Sequence, residues 1–137
     1  MHPSPLVSGQ RVLIYSCAVR AKGEPSGAIL GVLGILFNWD SLAQSIVNDT
    51  PLPAEEKADT RVCIVDKTGL VIADTANRQL SDRLDIPNLH DFNTSSKRFC
   101  IDKIDGKDCC VAMALSPGYE TYATGWSSII IQSVGAN

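Results

Sequence analysis

The stretch RVCIVDKTGLVIAD, residues 61–74, constrains the fold more than any other part of this chain. Two runs rich in valine and isoleucine flank the polar segment Asp66-Lys67-Thr68-Gly69. β-Branched side chains suit a pleated, half-buried surface. Glycine supplies the positive φ that a tight reversal requires. The pattern predicts a β-hairpin, bracketed by one strand pair before it and another after it.

Residues 2–10, rich in Pro, Ser and Gly, predict an extended lead-in. Residues 11–20 predict a strand, turn formers fill 21–27, and 28–37 predict a second strand that closes a hairpin with a longer loop. The run 27–37 is the most apolar in the chain and is expected to be a buried strand. Gly31 and Gly34 inside it predict a bulge or a close approach by something packed on top. Residues 38–47 predict a helix, because Trp39, Leu42, Ala43, Ile46 and Val47 repeat at one-face spacing. Asn38 is placed to cap it, Asp40 complements its dipole, and Pro51 lies beyond its end. Residues 51–60 read as a charged connector.

Residues 75–93 carry no strand pattern. Leu80, Leu84 and Ile86 are expected to face inward from a short irregular helix that Pro87 stops, and the segment is expected to lie over the sheet as the lid of a pocket. Residues 97–104 and 109–115 predict strands joined at Asp105-Gly106, a strong two-residue turn, and 126–133 the last strand. Two hairpins, each followed by a helical or irregular stretch, make a weak internal echo. The fold class is α+β, with one domain over residues 10–133.

At 137 residues the chain has the length of one domain. Its composition, 45% hydrophobic and 20% charged, excludes wholesale disorder. The net charge is −3 and the 12 Lys and Arg are scattered, which argues against nucleic acid as a partner. Five cysteines, Cys17, Cys63, Cys100, Cys109 and Cys110, include no Cys-x-x-Cys, and adjacent cysteines chelate a tetrahedral metal poorly. They read mostly as small buried hydrophobes on strands. No metal or cofactor is expected. No segment reaches the roughly 20 apolar residues that span a bilayer, and the N-terminus lacks the pattern of a signal peptide.

His2 and His90 stand in no nucleophile motif. Asp66, Asp74, Asp82 and Asp85 sit where solvated or capping carboxylates sit. Gly27, Gly31 and Gly34 have neither phosphate-loop nor dinucleotide spacing. Residues 116–126, SPGYETYATGW, gather three aromatics just before the last strand. Aromatics with polar tips can wall a ligand pocket; Tyr119 and Tyr122 read equally as pocket wall or as edge residues, and Trp126 as a plug for the sheet edge.

Three blocks, GAILGVLGILFNWDSLAQSIV (27–47), RVCIVDKTGLVIADT (61–75) and DGKDCCVAMALSPGYETYATGWSSIIIQ (105–132), taken in that order, resemble the Cache, or extracytoplasmic PAS-like, sensor domains of bacterial methyl-accepting chemotaxis receptors. The resemblance covers residues 10–132. It implies a PAS/Cache-like antiparallel β-sheet flanked by helices, with a small-ligand pocket between the sheet and a loop-helix lid, and no catalysis. It further implies a homodimer, a membrane-anchored parent protein and a periplasmic, extracytoplasmic setting; the free cysteines favour a reducing compartment instead. The family's fold usually begins with a long N-terminal helix, whereas this chain starts almost directly at a strand, so that helix is expected to be missing. Alternatively, residues 10–37 end a distal module and 60–133 form a proximal one.

No ligand identity carries over. Pocket candidates are Asp74, Arg78, Arg98, Tyr119 and Tyr122, with Arg78 or Arg98 able to hold the carboxylate of an organic acid or amino acid in a bidentate pair. Two other readings compete with the sensor: a dimerisation module without a ligand, and a small enzyme using the thiols of Cys109-Cys110.

Overall fold

The computed structural model describes residues 11–86, 96–118 and 123–134. The chain divides into two compact units, Met1–Leu42 and Ala43–Asn137. The architecture is α+β: antiparallel sheets with few helices.

In the first unit, β1 (Val12–Arg20) and β2 (Ile29–Asn38) form an antiparallel hairpin. Its reversal runs through Lys22 and Gly23, both at positive φ, and is closed by the Ala21 N–H donating to Ala28 O at 2.9 Å. A bulge falls where Val19 faces Gly31 and Arg20 faces Ile29, so Gly31 stands beside the irregularity its presence predicted. Among the described residues nothing comes close to either glycine: Gly31 has open space where a Cβ would go, and at Gly34 the nearest atom to such a position is Ile14 Cγ2, at 4.0 Å.

The expectation that 27–37 is a buried strand is overturned. β2 is exposed along its whole length, with Leu30 and Val32 each 71% accessible. A strand is buried by a second layer on its face, and among the described residues of this unit β2 has one strand neighbour, β1. The composition is that of a strand covered on both faces.

Helix α1 (Trp39–Asn48) forms where the periodicity placed it, and Asn38 Oδ1 accepts from the Ser41 N–H at 3.4 Å as its cap. Asp40 in the first turn pairs with Arg11 at 3.0 Å. Trp39, Ala43 and Val47 are buried, whereas Leu42 and Ile46, expected on the same face, are exposed. The buried stripe is therefore the narrow i, i+4, i+8 line. A one-turn helix, α2 (Ala54–Lys57), follows.

The second unit holds a five-stranded antiparallel sheet, built from β3 (Thr60–Val65), β4 (Val71–Asp74), β5 (Lys97–Ile104), β6 (Lys107–Leu115) and β7 (Ser127–Ser133) in the order β4-β3-β7-β6-β5. Alternate side chains of its inner face, including Cys63, Val65, Val111, Met113, Ile129 and Ile131, make one apolar cluster. Leu84 and Ile86 close that cluster from the segment after β4, as expected.

The helix expected around them does not form. Asn77 and Leu80 take positive φ, which breaks a helical run, and the backbone instead stitches itself to the β3–β4 turn. Leu80 N donates to Val71 O at 2.8 Å, Val71 N to Asp82 O at 3.1 Å, and Leu84 N to Gly69 O at 3.0 Å. Pro87 lies outside the described residues.

The two turns are built as their sequences require. Asp105 and Gly106 both take positive φ, the two-residue hairpin form. At the β3–β4 turn Gly69 has φ 78°, and a Cβ there would lie 2.6 Å from Leu84 O. Glycine is required on both counts. Cysteines split by position: Cys63 and Cys109 are buried, Cys100 and Cys110 half-buried, and Cys17 exposed. All five lie on strands, yet the buried-hydrophobe reading holds for two.

Asp66 ties the β3–β4 turn together, accepting from the Thr68 N–H and hydroxyl at 2.7 Å each and from the Leu70 N–H at 3.0 Å. Burial alone would raise this carboxyl, but these bonds and the nearby Arg83 charge outweigh it and hold it below its ordinary value. The folded carboxyl thus titrates lower than the unfolded one. Its contribution is complete above the unfolded value near pH ~4 and vanishes as pH falls through the folded value. Urea midpoints measured from pH 6 downwards are expected to show Asp66→Asn less stable than the parent at pH 6, the difference closing at acid pH. A difference that stays constant would contradict the assignment.

Candidate functional site

A cleft of about 680 Å³ opens at one end of the five-stranded sheet, where β3 begins, β4 ends and β5 turns into β6. Its centre is Arg61, which lies two residues before Cys63 and so follows the alternation of the apolar face. A guanidinium there is tolerated only with partners. Asp74, the last residue of β4 and fully buried, supplies them. Its carboxylate accepts from Arg61 Nε at 3.0 Å and Nη2 at 2.7 Å, a fork-on-fork pair. The same carboxylate accepts from the backbone N–H groups of Ala76 at 3.0 Å and Arg78 at 3.2 Å, so it also turns the chain out of the strand.

The network extends outward from this pair. Arg61 Nη2 also donates to Asp82 at 2.8 Å. Arg78 Nη1 lies 3.8 Å from Asp82 and 2.6 Å from Asp105 in the β5–β6 turn. Five charged side chains thereby join β3, the end of β4, the segment after it and the β5–β6 turn. Burial by itself would lower the Arg61 pKa, but the hydrogen bonds to Asp74 and Asp82 outweigh it and raise it, so the side chain stays charged. Beside it, burial pushes the Cys63 thiol up to about 12, with Arg61 opposing and Asp74 and Asp82 adding to the shift. Cys63 is a protonated core thiol at neutral pH.

Two lining residues carry polar atoms that are buried without a hydrogen-bond partner among the described residues, Thr60 Oγ1 and Arg61 Nη1. Both atoms are enclosed by protein; the hydroxyl could donate or accept, the guanidinium nitrogen only donate.

The structure brings together two of the five residues singled out from sequence. Arg78 lines the cleft, and Asp74 stands behind it, orienting Arg61. Arg98 lies elsewhere, in a shallow groove of about 330 Å³ beside Phe99 and Ile130. Tyr119 and Tyr122 lie outside the described residues, as do His2 and His90. Trp126 is half-buried, its carbonyl accepting from the Ser116 N–H at 2.8 Å. Of the expected lid, Thr75, Ala76 and Arg78 wall the cleft, while Leu84 and Ile86 belong to the core. Cys109 and Cys110 alternate along β6, with Cys109 in the core face. Asp66 and Asp74 cap turns, as their positions suggested; Asp82 instead carries an ion pair.

Sequence reading missed Arg61 and Thr60. The signal was present, because an arginine on the inward phase of the strand Arg61-x-Cys63-x-Val65 has to be paired or functional. No family model and no curated protein matches the chain.

Removing one partner of a buried pair leaves the other charge uncompensated. Asp74→Ala is expected to lower stability by about 3–5 kcal/mol. Asp105→Ala breaks a pair whose side chains are 47% and 60% exposed and is expected to cost under about 1 kcal/mol. Urea unfolding of the two variants measures both, and equal losses would refute the ranking.

Proposed function

We propose that this chain is a non-catalytic sensor domain of a bacterial signal-transduction receptor of the chemotaxis type, which binds a small molecule and passes on a conformational change. The observation that carries the reading is the cleft at the end of the antiparallel sheet, walled by the segment after β4 and lined by the charged residues Lys57, Arg61, Arg78 and Lys107. The resemblance to Cache and PAS-like domains supports it, since that family implies a pocket between a sheet and the segment lying over it. On this reading the ion pairs around the cleft carry the output. A ligand that competes for Arg78 or Arg61 changes the ion pairs that hold the segment after β4 and the β5–β6 turn. On this reading the parent protein is membrane-anchored and the domain extracytoplasmic.

A thermal-shift screen against amino acids, organic acids, amines and sugars tests the proposal. A ligand at a hundredfold excess over its dissociation constant stabilises the folded state by about 2.7 kcal/mol, which raises Tm by roughly 5–15 °C. A dose-dependent rise that Arg78→Ala abolishes supports the sensor. A flat response across the panel refutes it.

A second reading, a self-association module, is favoured by the hairpin of the first unit. Apolar side chains are exposed along both of its strands, and β2 contains no charge between Ile29 and Phe37. Exposed apolar surface of this extent marks interaction sites. Sedimentation velocity between micromolar and hundred-micromolar concentration is expected to show reversible dimerisation on this reading, lost in a Leu30→Thr, Val32→Lys double variant. A monomer at all concentrations would remove it.

A further inference from the structure

The five-stranded sheet has two edge strands, and the chain treats them differently. β4 is covered by the segment that follows it: Val71 O accepts from the Leu80 N–H at 2.8 Å, and the Val71 N–H donates to Asp82 O at 3.1 Å. β5 has β6 as its one strand neighbour among the described residues. The ladder fixes which of its backbone groups face outward. Ser96 O accepts from the Leu115 N–H at 2.8 Å, so the residue before β5 bonds toward β6. Asp108 O accepts from the Val134 N–H at 2.9 Å, so Asp108 bonds toward β7, and Lys103 opposite it on β5 is not bonded to it through the backbone. Bonded and non-bonded pairs alternate along an antiparallel ladder. Residues 98, 100, 102 and 104 therefore bond to β6, and 97, 99, 101 and 103 turn their N–H and C=O groups away from the sheet.

Asp102 Oδ1 already closes the Lys103 N–H at 2.7 Å. Phe99 and Ile101 have no such closure among the described residues, and their side chains are 81% and 65% exposed. An open edge of this kind is a template for another strand, which proteins usually blunt with charge. β5 carries Lys97, Arg98, Asp102 and Lys103, and their order selects one register of self-pairing. Outward-facing residues must meet outward-facing ones, so a two-fold axis passes through a residue and not between two. An axis at Arg98 or at Asp102 sets like charges opposite each other, which is destabilising. One at Phe99 or Ile101 leaves Arg98 and Asp102 facing uncharged residues. The axis at Cys100 sets Arg98 opposite Asp102 of the second copy, twice, and Phe99 opposite Ile101, twice. Lys97 then faces Lys103, whose charge Asp108 meets at 3.0 Å.

We propose that β5 is a self-association edge, at which two copies of the chain pair antiparallel about a two-fold axis at Cys100 and join their five-stranded sheets into one. Main-chain bonds between Phe99 and Ile101 of opposite copies supply the centre of the ladder, and the two pairs of Arg98 with Asp102 fix its register. This edge is separate from the hairpin of the first unit and from the cleft, so the inference stands apart from the sensor reading. It reaches the cleft through one element. The β5–β6 turn, whose Asp105 pairs with Arg78, continues directly from the paired strand.

The test uses the full chain carrying Leu30→Thr and Val32→Lys, which remove the apolar surface of the hairpin, and Cys17→Ser, which removes the exposed thiol. Sedimentation velocity is expected to show a reversible dimer. Arg98→Asp and Asp102→Arg each turn both cross-strand pairs into like-charge contacts. Each is expected to weaken the dimer about tenfold or more, and the two together to restore it to within about threefold. Ile101→Pro removes an outward N–H and no bond to β6, so it is expected to abolish the dimer while the far-UV circular dichroism stays unchanged. Cys100 reports the register. Opposite residues of a non-hydrogen-bonded pair have Cα atoms about 4.5 Å apart, within the span of a disulfide. Diamide, which takes two electrons and two protons from a pair of thiols, is expected to link Cys100 of the two copies. Mass spectrometry reads that link as the tryptic peptide 99–103 joined to itself. A monomer at all concentrations, a dimer that Ile101→Pro leaves intact, a folded charge-swapped chain that fails to dimerise, or links through Cys110 alone would overturn the inference. The thermal-shift panel decides the sensor reading independently of each.

Discussion

The pair between Arg61 and Asp74 is the contact on which the open end of the second unit depends. Its carboxylate does two things at once. It neutralises a guanidinium on the apolar face of β3, and it anchors the backbone N–H groups of Ala76 and Arg78 where the chain leaves β4. Without the carboxylate, the arginine would be a buried charge and the exit from the strand would lose its cap. Desolvation makes such a pair expensive to build, so its presence where valine or isoleucine would pack is better explained by what it holds in place.

What it holds is a boundary between two kinds of interior. Toward the β3–β4 turn the sheet is covered by Leu84 and Ile86, and the inner face is apolar. Burying an aliphatic side chain there contributes about 1.5–3 kcal/mol each, more than any exposed ion pair of the outer network. Toward the other end the cover stops, and charged and hydroxyl groups take over from aliphatic ones. The same segment therefore closes a core with one part and walls a cleft with the other. Hydrophobic burial fixes its position; the ion pairs fix its orientation.

The first unit follows a different logic. Its hairpin has the composition of a strand pair covered on both faces, yet it is exposed throughout the described residues. A two-stranded hairpin is marginal on its own in water. The register and the turn are well formed because they depend on local hydrogen bonds and on Lys22 and Gly23 at positive φ. Local signals specify the hairpin; they do not supply a layer for it to pack on.

That separation divides what the sequence determined from what the tertiary structure decided. Elements whose causes are local were legible: β-branched runs for the strands, Asn38 and the apolar spacing for α1, Gly69 and Asp105-Gly106 for the turns. Each depends on residues within a few positions of one another, so the pattern carries the physics. The broken helix after β4 was not legible, because hydrogen bonds to Gly69 and Val71 outcompete the helical ladder, and those partners lie 9 to 15 residues away. The cleft was legible in part. Asp74 and Arg78 could be named from their place after a strand, but Arg98, equally plausible as an arginine, falls in a separate groove. Arg61 became the centre only when the pairing of β3 with β4 placed it beside Asp74 and Asp82. A sequence records which side chains carry charge and which prefer a strand. Which charges meet, and which donor is left without a partner, is decided by the fold that brings distant residues within hydrogen-bond range.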